Sequence, residues 1–306
     1  MAQKDILEKI LMAHGDVFAD CVNVFLYGGQ PKLRGGDLCP APTESFYQGK
    51  AGKRSQFCDR SFFQMEGGRV KAQYFIENET RLKRRQALRK ASYQGGSYRE
   101  QLELKQPVYP VIGIILNWTG RRSRIPSSLR RLLASEGADM EALRFVDDVT
   151  LKLYHMRNLS KEVRDRFTSD MGFVVDYLNT GSFEGRGQQR IVHGEALCEM
   201  MEALTGDARF TDMIGNLLEK QEEGEGIVMC EYIDMLEAKG EARGKEIGKE
   251  IGKEIGKEIG KEIGEGRLAS LLSKLYALGR DEDAKLAVND RAARGRLYEE
   301  LGIAGG

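Results

Sequence analysis

Apolar and polar positions along the chain follow two periods, and the switch between them marks its parts. Ile6, Leu7, Ile10 and Leu11 recur at helical spacing. So do Val17, Phe18, Cys21, Val22, Phe25 and Leu26, and together they predict short helices over residues 4–14 and 16–27. Gly28-Gly29 closes the second. Residues 30–54 are rich in Gly, Pro and Lys and predict a connecting region with a short strand over Thr43–Gln48. From Gln56 the period becomes two. Phe57–Met65 and Arg69–Glu79 predict antiparallel strands joined by a turn at Glu66-Gly67-Gly68. On the second strand Val70, Ala72, Tyr74 and Ile76 form a core-like face. Arg69, Lys71, Gln73, Phe75, Glu77 and Glu79 form the other, which reads as too polar to be buried.

Residues 81–104 are strongly charged and end in the helical stretch SYREQLEL. Pro110–Trp118 is a continuous apolar run, the pattern of a strand covered on both faces. Val149–Tyr154 alternates and predicts a fourth strand. Strands separated by a helix predict an α/β sandwich with a mixed sheet flanked by helices. Beyond Leu159 the pattern is helical. Ser160 is a good N-cap for a helix reaching Leu178, residues 181–188 form a linker, and helices are expected over 189–204 and 207–221. The predicted organisation is a core over 1–158, a helical extension over 159–223, a low-complexity segment over 224–266 and a helical C-terminal segment over 267–306.

Charge changes this picture. The net charge is zero, but residues 1–133 carry 23 Lys and Arg against 12 Asp and Glu, and the remainder carries 24 against 35. A basic half joined to an acidic half points to a polyanion-binding module beside a different one. The five cysteines form no CxxC pair and the three histidines lie far apart, which argues against a disulfide framework and a structural zinc site. Each histidine reads as a surface or satisfied core residue. With no apolar run near the ~20 residues of a membrane span and no signal-peptide core, the expected compartment is the cytoplasm.

Asp59, Glu77 and Glu79 are the candidate chemistry. Glu77 and Glu79 are two apart on one strand and share a face, and Asp59 lies near the start of the neighbouring strand. Converging carboxylates call for a cation, and oxygen ligands suit Mg²⁺ or Mn²⁺. Such an ion activates water and stabilises charge on a phosphodiester. Arg81, Lys83, Arg84, Arg85, Arg89 and Lys90 follow at once, and Arg121, Arg122, Arg124, Arg130 and Arg131 follow the apolar strand. Basic clusters of this kind supply sequence-independent DNA affinity, while a solvated helix face is the plain alternative.

The stretch FCDRSFFQMEGGRVKAQYFIENET resembles the core of the recombination-promoting nuclease family, transposase-like proteins of the PD-(D/E)XK nuclease superfamily. The likeness continues in order through DVFADCVNVFLYGG, PVYPVIGIILNW, FVDDVTLKLYHMRNLSKEVRDRFTSDMGFVVDYL, VHGEALCEMMEALTGDARF and MCEYIDMLEAKGEARG, across nearly the whole chain. The resemblance implies a bacterial protein with a restriction-endonuclease-like core, Mg²⁺ or Mn²⁺ as cofactor, DNA as substrate, and a role in recombination or transposition. It assigns metal binding to Asp59 and Glu77. At the third position the superfamily usually has Lys and this family often Gln, but this chain has Glu79, which fits a third metal ligand or a general base. The family's Arg-Asp order is also changed, since Arg60 follows Asp59. DNA contact is expected from Arg81, Lys83, Arg84, Arg85, Arg89, Arg121 and Arg122.

The tail carries glycine at 240, 244, 248, 252, 256, 260 and 264, with Ile one position before each glycine from Gly248 on. Small residues at this step permit close helix approach. Each glycine also costs a helix about 1 kcal/mol relative to Ala. The expectation is a flexible helix that orders on self-association, with a plain spacer as the alternative. Three functions follow: a Mg²⁺-dependent DNA endonuclease, a nuclease-fold DNA-binding protein without catalysis, or a self-associating protein acting through its tail.

Overall fold

The computed structural model describes residues 10–49, 52–104, 107–120, 124–183, 185–215, 218 and 228–303. The chain is α/β and divides into two compact units, Met1–Leu236 and Glu237–Gly306.

The first unit opens with α1 (Gly15–Tyr27), which ends on Gly28 in the left-handed region that a glycine adopts without strain. Strand β1 (Leu38–Pro40) follows, then a separate hairpin of β2 (Glu44–Gly49) and β3 (Gly52–Phe57). Strands β4 (Arg60–Glu66) and β5 (Arg69–Glu79) pair antiparallel around the expected turn, with Arg60 opposite Ile76. Helix α2 (Gln86–Leu104) leads to β6 (Val111–Asn117), which runs parallel to β5. Two short helices, α3 (Leu129–Ser135) and α4 (Met140–Leu143), precede β7 (Leu153–His155), parallel to β6. The result is a mixed five-stranded sheet in the order β1-β4-β5-β6-β7.

One sheet face follows the alternation. Phe62, Ala72, Tyr74, Ile76, Ile114 and Leu116 pack under α1 and two later helices, α6 (Met171–Thr180) and α7 (Gly194–Thr205). The residues after Leu159 therefore build the same core as the sheet. The other face corrects the expectation from composition. Gln73, Phe75, Glu77 and Glu79 are buried, with Glu77 only 1% exposed. Helix α2 covers this face with a stripe that is itself polar: Gln86, Lys90, Tyr93, Ser97 and Gln101 are all buried. Polar side chains on the two elements bond to one another in part, as from Gln86 Nε2 to Glu77, while Glu77 Oε1 and Gln86 Oε1 have no hydrogen-bond partner. Phe75 lies opposite Gly113, where an added Cβ would meet the Phe75 ring at 2.1 Å, so glycine is required there.

The single helix expected from Ser160 to Leu178 is two, α5 (Lys161–Arg164) and α6, and Ser160 makes no side-chain cap. The carboxylate of Asp20 on α1 accepts both backbone N–H groups and both hydroxyls of Thr168 and Ser169, which holds that segment out of a helix. Ile6 and Leu7, residue 184 of the expected linker, and 216–217 and 219–221 of the last expected helix lie outside the described residues. Helix α8 runs from Met229 to Ala277. In the second unit its last turns pack Leu271 and Leu275 against α9 (Asp281–Asn289) and α10 (Arg291–Glu300) through Ala284, Ala287 and Leu297. Among the described residues no helix is long and apolar enough to cross a membrane.

Candidate active site at the end of the central strand

Strands β5, β6 and β7 are parallel, and their last residues are aligned: Glu79 pairs with Asn117, and Asn117 with His155. The carboxyl ends of parallel strands are where α/β sheets gather functional groups. Glu77 and Glu79 point from β5 beneath α2. Gln86, in the first turn of α2, donates from Nε2 to Glu77 Oε2 at 2.7 Å and to Glu79 Oε1 at 2.9 Å. Arg89, one turn further, brings Nε to 3.7 Å from Glu77 Oε1 and one guanidinium nitrogen to 3.4 Å from Glu79 Oε1. Two side chains of one helix thus sit against both glutamates.

Asp59 precedes β4, and its Oδ2 accepts the backbone N–H of Asn78 at 2.6 Å. Asn78 in turn accepts from Trp118 Nε1 at 3.0 Å. The structure brings Glu77 and Glu79 together and places Asp59 beside them, turned onto the backbone between them. Among the described residues no three His, Cys, Asp or Glu side chains are grouped to hold a metal ion.

Burial sets the electrostatics. It pushes the Glu77 carboxyl up to about 7; Glu79 and Asp59 add to the rise, while Arg89 and Gln86 oppose it. Glu79 is raised for the same leading reason, against Gln86, Arg89 and Lys83. Lys90 is 3% exposed and donates to the carbonyl of Thr150 at 2.7 Å. Burial lowers its pKa to about 8, aided by Lys152 and opposed by Glu77. Lys90 is therefore no part of a surface for phosphates.

The donor set fits a hard divalent cation. Two carboxylates lie side by side, and Glu77 Oε1 and Gln86 Oε1 are buried with no hydrogen-bond partner. Glu77 and Glu79 are the residues that could hold one, with Asp59 bonded to the backbone between them.

The basic residues are distributed differently from a single solvated cluster. Arg81 and Lys83 are exposed. Arg84 donates to Ser135 Oγ at 2.8 Å, and Arg85 forms two bonds to Glu136 at 3.1 and 3.2 Å. Both partners stand at the end of α3. Arg130 donates to the carbonyl of Val146 at 2.6 Å. Arg121 and Arg122 lie outside the described residues.

Three further polar residues belong to this strand end, and sequence reasoning passed over them. Gln86 was detectable, because the spacing of Gln86, Lys90, Tyr93, Ser97 and Gln101 is helical and polar. Asn117 and His155 had no local signal. Asn117 Oδ1 accepts from Thr119 N and Oγ1, so its Nδ2 donates to His155 Nδ1 at 2.7 Å and leaves the ring proton on Nε2. The other two histidines are not isolated either: His14 and His193 stack at 3.7 Å, with His193 Nε2 2.9 Å from Asp16. No family model, curated protein or solved structure matches the chain.

Proposed function

We propose that this chain is a Mg²⁺- or Mn²⁺-dependent endonuclease that hydrolyses DNA phosphodiesters, with a core of the restriction-endonuclease-like kind and a role in recombination or transposition. One observation carries the reading: Glu77 and Glu79 are buried on one face at the carboxyl end of a central strand, with Asp59 fastened to the backbone N–H of Asn78 between them. Burying two neighbouring carboxylates is costly, and such a pair is a candidate for handling a cation or a proton. The sequence resemblance independently assigns metal binding to Asp59 and Glu77.

A divalent ion held there supplies water activation and neutralisation of charge on the phosphodiester. The protein's own groups do the rest. Glu79, whose carboxyl is raised by burial, would either join Glu77 in holding the ion or take the proton of the attacking water as general base. The exposed Arg81 and Lys83, with Arg84 and Arg85 further along, present cations to a DNA backbone.

A second reading is a nuclease-fold DNA-binding protein without catalysis. It is favoured by Gln86, which donates a hydrogen bond to each glutamate, and by Arg89, whose one positive charge lies against both. Incubating supercoiled plasmid with the protein and Mg²⁺ or Mn²⁺ separates the two. The endonuclease reading expects nicked or linear product, lost in Glu77→Gln while DNA binding is kept. Intact plasmid under both ions, with DNA still bound, overturns it in favour of the second.

A further inference from the structure

We infer that Gln86 is a further ligand of the cation site, its side-chain amide reversing when an ion enters. The inference rests on the metal-site reading above and concerns a residue on α2, outside the strand motif.

A carboxamide has two N–H donors and one carbonyl acceptor. Here Nε2 gives one bond to Glu77 Oε2 and one to Glu79 Oε1, so both donors are committed to the two carboxylates. This orientation is the one that two negative groups impose, since the carbonyl end would be repelled. The side chain is fully buried, and Oε1 has no hydrogen-bond partner. Nothing therefore anchors the amide from behind, and reversing it breaks no bond at that atom.

A cation between the glutamates inverts the requirement. It repels the N–H end and attracts the carbonyl. Turning the terminal amide by half a revolution brings Oε1 to the place of Nε2 without moving the backbone. That place is 2.7 Å from one glutamate oxygen and 2.9 Å from the other. Ligand oxygens at about 2.1 Å from one Mg²⁺ in an octahedron stand about 3 Å from one another. The spacing already present is that of neighbouring ligands. Glu77 Oε1, buried, without a hydrogen bond and 3.7 Å from Arg89 Nε, is a further oxygen of the same site.

The same geometry bears on the departure at position 79. Where the family it resembles often carries Gln on the strand, this chain carries Glu79 and brings an amide to it from the helix.

The test measures binding of Mn²⁺ alone to the full chain by calorimetry, beside melting temperature in chelator and in Mn²⁺. Gln86→Met keeps the length and loses both donor and acceptor. It is expected to fold by circular dichroism and to bind Mn²⁺ about 10-fold more weakly or worse, the scale seen when a group supporting a metal site is removed. Gln86→Glu adds a carboxylate that always presents oxygen. It is expected to melt below wild type in chelator, to bind Mn²⁺ more tightly, and to gain more from added Mn²⁺. Wild-type affinity in folded Gln86→Met, or weaker binding in Gln86→Glu, overturns the inference and leaves the metal site standing. Should Gln86→Met fail to fold, the Glu variant decides alone. A wild-type chain that binds no Mn²⁺ overturns the metal-site reading and the inference with it. A chain that binds Mn²⁺ through Gln86 and cuts no DNA retains the inference and loses the endonuclease.

Discussion

Asp59 holds the backbone of Asn78: its Oδ2 accepts that N–H at 2.6 Å, fastening the start of β4 to the residue between the two glutamates of β5. A carboxylate so placed has a structural part and a chemical one. Asp59→Ala removes the acceptor and is expected to cost about 1–2 kcal/mol in urea unfolding. Asp59→Asn keeps an oxygen for the N–H and removes the charge, so most of that stability should return. Plasmid cleavage should fail in both. An Asn variant that cuts like wild type would leave Asp59 with the structural part alone.

Glu77 predicts a pH dependence for the metal-free chain. Its carboxyl stands at about 7 in the folded protein against an ordinary 4.5. A raised carboxyl makes the folded state the better proton acceptor, so its contribution to stability is full below about 4.5 and is lost as pH rises through about 7. In chelator, wild type should lose on the order of 3 kcal/mol relative to Glu77→Gln between about pH 5 and pH 8. Added Mn²⁺ binds the ionised form and should restore more stability at pH 8 than at pH 5. Parallel pH profiles for the two proteins would show that Glu77 is not the titrating group.

Much of this site was legible in the sequence, for a definite reason. Strand parity put Glu77 and Glu79 on one face, and the alternation put Ala72, Tyr74 and Ile76 in the core, where they are. Parity could not say that the polar face is buried. That depends on α2 bringing Gln86, Lys90 and Tyr93 against it, a match between two elements that neither displays alone. The break near Thr168 escaped notice for a similar cause, because the bonds that produce it come from Asp20, 148 residues away. Asn117 and His155 meet only through the parallel pairing of β6 and β7. Strand β1 and the second strand of the β2–β3 hairpin lie in a region whose Gly, Pro and Lys content reads as loop.

The basic segment before and within α2 predicts a salt-dependent affinity for DNA. Arg84 and Arg85 are exposed and tied to Ser135 and Glu136. Exposed pairs of this kind are worth roughly 0–1 kcal/mol, so a phosphate can take the guanidinium at little cost. Replacing Arg81, Arg84 and Arg85 with Gln should weaken binding to any DNA sequence. The slope of log affinity against log salt should become shallower by about 0.9 for each phosphate that the variant no longer neutralises. Fold stability should change by less than about 1 kcal/mol. Anisotropy titrations at several salt concentrations measure the slope, and an unchanged slope would make these residues an ordinary solvated face.

The glycine repeat predicts opposite changes in two measurements. Residues 240–264 lie within α8, where Ile247, Ile251, Ile255, Ile259 and Ile263 are each about half exposed, 48–51%. Around the glycines from Gly244 to Gly264 at the four-residue step, an added Cβ would meet nothing within 4 Å. Ala at these positions is therefore free of steric cost within the single chain, and each substitution should favour the helix by about 1 kcal/mol. A second helix packed against the stripe would meet the new methyl groups, because small residues are what permit such an approach. Replacing Gly244, Gly248, Gly252, Gly256 and Gly260 with Ala should then raise helicity by circular dichroism and lower self-association by sedimentation. The core of the first unit should stay folded in this variant and in a chain lacking 240–264, since the cluster that holds Ile76, Ile114 and Leu197 is built from residues up to Met235. Association that survives the alanines would make the repeat a spacer, and higher helicity with weaker association would identify glycine as the contact.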